Sequence, residues 1–144
     1  MTDDVHAAIR EALRHSRQRY TRGRQSLVEL LLALGRPVTI PDLVAAGAPQ
    51  AQSSLYRNLS VLEQCGVVRR LPSTDDAGRY ELAEELTEHH HHLVCTACGR
   101  VDDVVLPSRL EASLDRAADA AGDEHGYALA SHRLELVGVC PGCR

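Results

Sequence analysis

Two pairs of cysteines in the second half of the chain have the spacing of metal ligands. Cys95 and Cys98 form one Cys-x-x-Cys pair, and Cys140 and Cys143 form the other. Two intervening residues let both thiolates reach one ion from a tight turn, so two such turns can supply the four sulfurs of a tetrahedral zinc site. The alternatives are a redox pair and two disulfides. A redox pair is disfavoured because neither Cys-x-x-Cys pair opens a helix after a strand in a βαβ pattern. The spacing favours structural zinc.

Four consecutive histidines, His89 to His92, stand just upstream of the first cysteine pair. The run continues into Leu-Val-Cys, which predicts a strand, and successive side chains of a strand point to opposite faces. The first and third histidines would share one face, and the second and fourth would share the other. The pattern predicts two metal sites, each beginning with two imidazoles.

Further ligands for the first site must come from other segments. We nominate Glu111, on the helix predicted after Pro107, and His132, on a strand predicted within residues 129–139. Together with His89 and His91 they would complete a set of nitrogen and oxygen ligands suited to a divalent metal.

Carboxylates at the predicted hinge between the two halves are the candidates for the second site. Glu81 is the main candidate to join His90 and His92, with Glu84 and Glu85 in reserve. All three lie among the eight residues that precede the histidine run, and a carboxylate oxygen is a ligand that zinc accepts.

The charge distribution favours two domains. Residues 1–82 carry 11 arginines against 9 acidic residues, whereas residues 83–144 carry 5 against 11. Within residues 5–70 the excess rises to 10 arginines over 4 acids, a local basic surface that suits a polyanion despite the net charge of −4. The chain contains no lysine, so every fixed side-chain cation is a guanidinium, able to pair bidentately with phosphate or guanine.

The sequence of the first half predicts a helix-turn-helix with a wing. Apolar periodicity and capping residues predict helices over Val5–His15, from a Thr21 cap through Leu34, over Val38–Ala46 and over Gln52–Cys65, then strands over Val67–Leu71 and Arg79–Ala83. A Gly-Ala-Pro turn precedes the fourth helix, whose outer face is polar. A hairpin after such a helix is a wing, so we expect a winged helix-turn-helix DNA-binding domain over residues 1–83.

The second half reads as a small mixed sheet with one helix. Strands are predicted over Arg100–Val105 and over Tyr127–Val139, the latter as two strands or one bent strand, with an amphipathic helix from Pro107 to Ala121. Residues 84–88 would form the hinge and residues 89–144 the metal-binding domain, so the fold class is α+β. A sheet covered by one helix leaves an edge exposed, and a second copy commonly closes such an edge. We expect a homodimer.

The order of these motifs resembles the ferric uptake regulator (Fur) family. The resemblance rests on Ser-Leu-Tyr-Arg at 54–57, Gly-Arg-Tyr-Glu-Leu at 78–82, the histidine-to-cysteine block at 89–99 and the terminal Cys-Pro-Gly-Cys, and it extends from Arg19 to Cys143. It implies a dimeric, metal-activated repressor with a winged-helix domain followed by an α/β dimerisation domain.

Carried over by position, the resemblance implies three metal sites. They are structural zinc on Cys95, Cys98, Cys140 and Cys143, a site in the dimerisation domain on His89, His91, Glu111 and His132, and a hinge sensing site on Glu81, His90 and His92.

The sequence departs from the family pattern at the hinge site. Iron-sensing relatives place a histidine where this chain has Arg36-Pro37, and zinc-sensing relatives use an aspartate near Arg69 and a cysteine near Ala83. The fourth hinge ligand is therefore unidentified, and the regulatory metal is left as Zn²⁺ or Fe²⁺. Peroxide sensing is disfavoured because its sites include aspartates, and His91 stands where one is expected.

The expected function is repression of zinc- or iron-uptake genes by a metal-loaded dimer on palindromic DNA operators in the cytoplasm. Tyr56 and Arg57 are predicted to contact base edges, and Ser53 and Ser54 lie on the same polar face of the helix. Phosphate contacts are predicted for Arg19, Thr21 and Arg24. The alternatives are that Tyr56 packs on the wing and that Arg24 pairs with Glu29. The sequence shows neither a signal peptide nor an apolar stretch of membrane-spanning length. Alternative functions are a zinc-stabilised interaction module or antagonist without DNA binding and, with less support, a zinc hydrolase.

Overall fold

The computed structural model describes residues 2–72 and 77–144 and divides them after Glu88 into two units. Unit 1 contains helices α1 (Thr2–His15), α2 (Arg22–Leu34), α3 (Ile40–Ala45) and α4 (Gln52–Gln64), followed by strands β1 (Val68–Leu71) and β2 (Arg79–Leu82). Unit 2 begins at His89 and contains β3 (His91–Cys95), β4 (Val101–Val104), α5 (Ser108–His125) and β5 (Glu135–Gly138). The predicted α+β fold class is confirmed.

Helix α2 begins and ends where its capping residues predict. The Arg24 backbone N–H donates to Thr21 Oγ1 (3.4 Å), which satisfies one of the free donors of the first turn. Gly35 adopts a left-handed conformation with φ of 57°, and its N–H donates to Leu31 O. Local chemistry alone therefore sets the length of this helix.

Helix α3 begins at Ile40, two residues later than predicted, because Thr39 and Asp42 form a capping box. The Asp42 N–H donates to Thr39 Oγ1 (3.2 Å), and the Thr39 N–H donates to Asp42 Oδ2 (2.9 Å). Val38 instead pairs with Tyr80 through two backbone hydrogen bonds of 3.0 and 2.8 Å. The segment before α3 thereby extends the β1–β2 hairpin by one bridge.

The core of unit 1 surrounds α4. Leu55, Leu59 and Leu62 recur at helical spacing and are fully buried. They pack with apolar residues of every other element of the unit, namely Ile9, Leu13, Leu27, Val28, Leu31, Val38, Ile40, Leu43, Val67, Val68, Tyr80 and Leu82. With its apolar face held inward, α4 turns its polar face outward.

The wing is an antiparallel hairpin of β1 and β2 in which Arg69 lies opposite Glu81. Arg69 Nη2 lies 2.6 Å from Glu81 Oε1, and the Glu81 side chain is only 5% exposed. Residues 73–76, which belong to the loop predicted between the two strands of the hairpin, lie outside the described residues.

Unit 2 is a three-stranded sheet in the order β4-β3-β5, with β3 antiparallel to β4 and parallel to β5. Helix α5 follows β4 and crosses back to β5, which pairs with β3. It runs four residues beyond the predicted end, to His125, where Gly126 (φ 76°) supplies a left-handed cap.

The prediction of strand structure over residues 127–134, and with it the placement of His132 on a strand, is wrong. The Tyr127 N–H donates to Gly122 O (2.8 Å), and Leu129 lies so close to Gly122 that a Cβ there would meet its Cγ at 3.0 Å. The chain is thus packed back over α5 at this point, and regular pairing with β3 begins only at Glu135.

Within the described residues, no helix is both long enough and apolar enough to cross a membrane.

Replacing Thr39 with alanine should destabilise unit 1 by about 1 kcal/mol, because the capping box loses its side-chain acceptor. Urea denaturation followed by far-UV circular dichroism measures the loss. Thr39→Ser keeps the hydroxyl and serves as the matched control; equal stability of the two variants would contradict the role given to the cap.

Candidate metal centres

The four paired cysteines converge at one end of the unit 2 sheet. Cys95 ends β3 and Cys98 lies in the turn that follows, while Cys140 precedes and Cys143 ends a short 3₁₀ turn (Pro141–Cys143) after β5. Because β3 and β5 run parallel with Cys95 opposite Gly138, the turns that follow them lie at the same end of the sheet. The four Sγ atoms lie within 4.8 Å of one another, and Cys98 Sγ lies 3.8 Å from Cys140 Sγ.

These distances fit zinc and exclude a disulfide between Cys98 and Cys140. Four sulfurs at about 2.3 Å from Zn²⁺ form a tetrahedron with edges of about 3.8 Å, whereas a disulfide bond is about 2.05 Å long.

Backbone donors prepare this cysteine cluster for a cation. The Cys140 N–H, which donates to Cys95 Sγ (3.3 Å), and the Cys98 N–H lower the pKa of the Cys95 thiol to about 6. The Cys143 thiol is stabilised in its protonated form by the hydrogen bonds that it donates to Cys140 first and then to Cys98, and these raise its pKa to about 12. One negative charge in the cluster thus disfavours another, and a dication would relieve that repulsion.

A second cluster, called here the His–Glu cluster, consists of His89, His91, Glu111 and His132, with one ligand atom of each within 4.8 Å of the others. Glu111 Oε1 lies 2.8 Å from His91 Nε2, and Glu111 Oε2 lies 3.2 Å from His132 Nε2 and 3.4 Å from His89 Nε2. Tetrahedral nitrogen and oxygen ligands about 2.1 Å from zinc would be about 3.4 Å apart. The structure brings together the four residues that the sequence nominated, and their role as metal ligands stays a prediction.

Burial and charge oppose each other at Glu111. Burial raises the pKa of its carboxyl, but the hydrogen bond from His91 and the charges of His91 and His89 outweigh burial, and the net pKa is lowered. The carboxylate is therefore ionised at neutral pH, as a metal ligand must be. His91, with 1% of its surface exposed, is the most buried member.

A third group, the His–Asp cluster, lies on the other side of β3. Asp103 Oδ1 lies 3.8 Å from His90 Nε2 and 3.8 Å from His92 Nε2. Asp103 is on β4 directly opposite His92. Asp103 was not predicted from the sequence, although an antiparallel hairpin folded about the Cys95–Cys98 turn places it there. It supplies an aspartate beside these histidines, but not at position 91, where the family resemblance places the aspartate of peroxide sensors.

Glu81 lies in unit 1, on β2, where it is paired with Arg69. Its predicted role as a ligand stays a prediction, as does that of the reserve candidates Glu84 and Glu85, which lie in the 3₁₀ turn Glu84–Leu86.

The predicted DNA-contacting residues of α4 lie on its outer face. Tyr56 is 52% exposed, and Ser53 and Arg57 are also exposed, whereas Ser54 is half-buried. The alternative in which Tyr56 is buried against the wing is therefore not what the structure shows.

The residues predicted to hold phosphate lie at the start of α2, where two of them have structural contacts. Thr21 caps the helix, and Arg24 donates from Nε to Asn58 Oδ1 (3.3 Å) and from Nη1 to Arg19 O and Gln18 Oε1. Arg24 thus connects α2 to α4 instead of pairing with Glu29. Arg19 is exposed.

Cys140→Ser should remove about one zinc per chain and unfold much of unit 2, because loss of a thiolate from a structural zinc removes folding free energy. Elemental analysis and circular dichroism measure both effects. Cys65→Ser, a half-buried thiol packed on the unit 1 core, is the control that should retain its zinc. Full zinc content in the Cys140 variant would show that this cluster is not the structural site.

The ferric uptake regulator family model matches residues 15–137, which include most of both units.

Two curated relatives align over nearly the whole chain. The peroxide-responsive repressor PerR of Staphylococcus saprophyticus is 28% identical over 137 residues, covering 92% of this chain and 87% of the relative. The ferric uptake regulation protein of Synechococcus elongatus is 28% identical over 144 residues, covering 96% and 94%.

The Helicobacter pylori ferric uptake regulator Fur has a similar structure, described as having three functional metal-binding sites. It superimposes with a TM-score of 0.76 at 20% identity and covers 99% of this chain and 93% of its own. This likeness supports the fold, and the family-model match settles membership. The chain belongs to the ferric uptake regulator family, whose members are metal-responsive transcription regulators and not enzymes.

Proposed function

We propose that this protein is a metal-dependent repressor of metal-homeostasis genes that binds palindromic DNA operators in the cytoplasm as a metal-loaded dimer. The genes proposed to be repressed are those for zinc or iron uptake. Regulators of this family bind DNA and form dimers. The operator, the dimer and the regulatory metal of this particular chain are part of the proposal.

The outer face of α4 is the observation that carries the proposal. Three leucines anchor its inner face in the core, so Tyr56 and Arg57 are presented outward on a rigid helix. An exposed helix of a helix-turn-helix enters the major groove, where a guanidinium can bind guanine O6 and N7 and an aromatic ring can contact a thymine methyl. We assign these two roles to Arg57 and Tyr56 respectively.

The start of α2 supplies the positioning contacts. Arg19 is exposed and Thr21 caps the helix, so phosphate would bind next to the free N–H groups of its first turn. Arg24, held by Asn58 of α4, would act by fixing the position of α4 and by adding positive charge near the phosphate.

Metal dependence is assigned to unit 2. The cysteine cluster would hold structural Zn²⁺, and the His–Glu and His–Asp clusters would hold a regulatory divalent metal, Zn²⁺ or Fe²⁺, to which imidazole and carboxylate ligands are both suited. On the family resemblance, the proposal keeps Glu81 as a further ligand. A metal that raises DNA affinity roughly 100-fold must favour the binding-competent state by about 2.7 kcal/mol.

The dimer is assigned to the exposed apolar surface of unit 2. Every residue of the edge strand β5 is exposed, and Leu136 (40%), Val137 (64%) and nearby Val139 (45%) expose large apolar side chains. Exposed apolar edges of this kind invite pairing with another chain, and a second copy is the simplest partner.

Arg57→Ala should weaken operator binding by about 1–3 kcal/mol, which is roughly 5- to 150-fold, because the guanine contact is lost. Binding is measured by fluorescence anisotropy with duplex DNA selected from a random pool by the zinc-loaded protein. Arg116→Ala removes the same charge from the exposed side of α5 in unit 2 and should bind like the parent. Selection of no DNA with any divalent metal would reject the repressor and favour an interaction module.

The double variant His90→Ala/His92→Ala should lose the dependence of DNA binding on metal, because the His–Asp cluster loses both imidazoles, while zinc on the cysteine cluster and the dimer persist. Anisotropy with and without metal and sedimentation velocity test these outcomes. His125→Ala, at the exposed end of α5, is the control. Unchanged metal dependence in the double variant would assign sensing to the His–Glu cluster.

A further inference from the structure

A carboxylate outside the His–Glu cluster contacts one of its histidines. Asp115 lies on α5 one turn after Glu111, so both side chains project from the same side of the helix. Asp115 Oδ1 lies 3.2 Å from His132 Nδ1, and Glu111 Oε2 lies 3.2 Å from His132 Nε2. The imidazole of His132 therefore lies between two carboxylates, with a hydrogen bond to Glu111 at Nε2 and with Asp115 within ion-pair distance of Nδ1.

We propose that Asp115 is a positioning residue that accepts the Nδ1–H of His132 and so commits Nε2 to a metal in the His–Glu cluster. A neutral imidazole carries a single ring proton, so a carboxylate acceptor at Nδ1 leaves the Nε2 lone pair for the ion. Histidine ligands usually donate their second ring N–H to such a partner, which fixes the ring orientation and raises its basicity. The inference rests on the proposed function only in requiring that the cluster bind a divalent metal.

His132 needs such support because no helix or strand holds it. His91 lies on β3 and Glu111 on α5, whereas His132 lies within the irregular stretch 127–134. The contact with Asp115 holds this stretch against α5, the helix that also carries Glu111. One rigid element therefore sets the position of His132 relative to Glu111.

Charge balance also favours this role. Glu111 is the one acidic member of the His–Glu cluster, so a divalent ion bound there would leave a net positive charge. Asp115 would offset that charge. Its side chain is 63% exposed, however, so solvent screens part of the interaction. We therefore expect an effect near the lower end of the range of about 10- to 100-fold in metal affinity found for such partners.

The test compares Asp115→Asn with Asp119→Asn, which removes the same charge from an exposed position one turn further along α5. Both are made in the His90→Ala/His92→Ala background, which silences the His–Asp cluster, in protein whose cysteine cluster already holds zinc. Competition with a chromophoric chelator measures Zn²⁺ affinity. We expect roughly tenfold weaker binding for Asp115→Asn, no change for Asp119→Asn, and partial recovery for Asp115→Glu.

A nitrogen-15 NMR spectrum of the His132 ring in the zinc-loaded protein distinguishes positioning from a general structural effect. The Nδ1–H proton should exchange slowly with solvent in the parent and in Asp119→Asn, and rapidly in Asp115→Ala, which leaves no side-chain acceptor at this position. Equal zinc affinity in the two asparagine variants, or equal exchange in the parent and in Asp115→Ala, would overturn the proposal. So would undiminished zinc affinity in Glu111→Gln, since the cluster would then not be the site. Failure to bind DNA in any metal state, with these affinities intact, would count against the proposed function alone.

Discussion

The alternation of side chains along β3 is the constraint on which the three candidate metal centres of this chain depend. Successive residues of a strand face opposite sides, so His91 reaches the His–Glu cluster while His92 reaches the His–Asp cluster. Three residues further on, the same strand delivers Cys95 to the cysteine cluster. Three residues of this five-residue strand thus contribute to three candidate metal centres, and an insertion of one residue would exchange the faces of everything that follows it.

The partners of β3 determine which side chains meet its histidines. The antiparallel neighbour β4 presents Asp103 opposite His92, and the parallel neighbour β5 brings the second cysteine pair to the end of the sheet where the first pair lies. Parallel pairing requires a crossover, and α5 provides it while also carrying Glu111. The same connection that permits the sheet topology therefore supplies the carboxylate of the His–Glu cluster.

The two units differ in how they are stabilised. Unit 1 has a continuous apolar core that extends from Ile9 to Leu82. In unit 2, Cys95 and Val101 are the buried apolar residues, His91 is buried with them, and large apolar side chains of β5 are exposed. So small a core leaves much of the folding free energy to be supplied by bound metal and by burial of that exposed surface.

Much of the fold could be predicted from local patterns, since helix caps, apolar periodicity and strand alternation are properties of neighbouring residues. The boundaries of α2 and the separation of the four histidines onto two faces are examples. Asp103 and the position of His132 depend on strand register and on how an irregular segment packs against α5, which are long-range properties. The contact between Asp115 and His132 has the same origin, because it joins a helix to a segment without regular structure.

The bridge between Val38 and Tyr80 has a consequence for how a signal can be transmitted. It ties the segment that leads into α3 to the second strand of the wing, and both residues are buried in the core that anchors α4. The hairpin and α4 are thereby coupled mechanically, so bending one away from the other would break backbone hydrogen bonds and expose apolar surface. Unit 1 is therefore suited to keep one conformation, and a conformational change on ligand binding must be sought outside it.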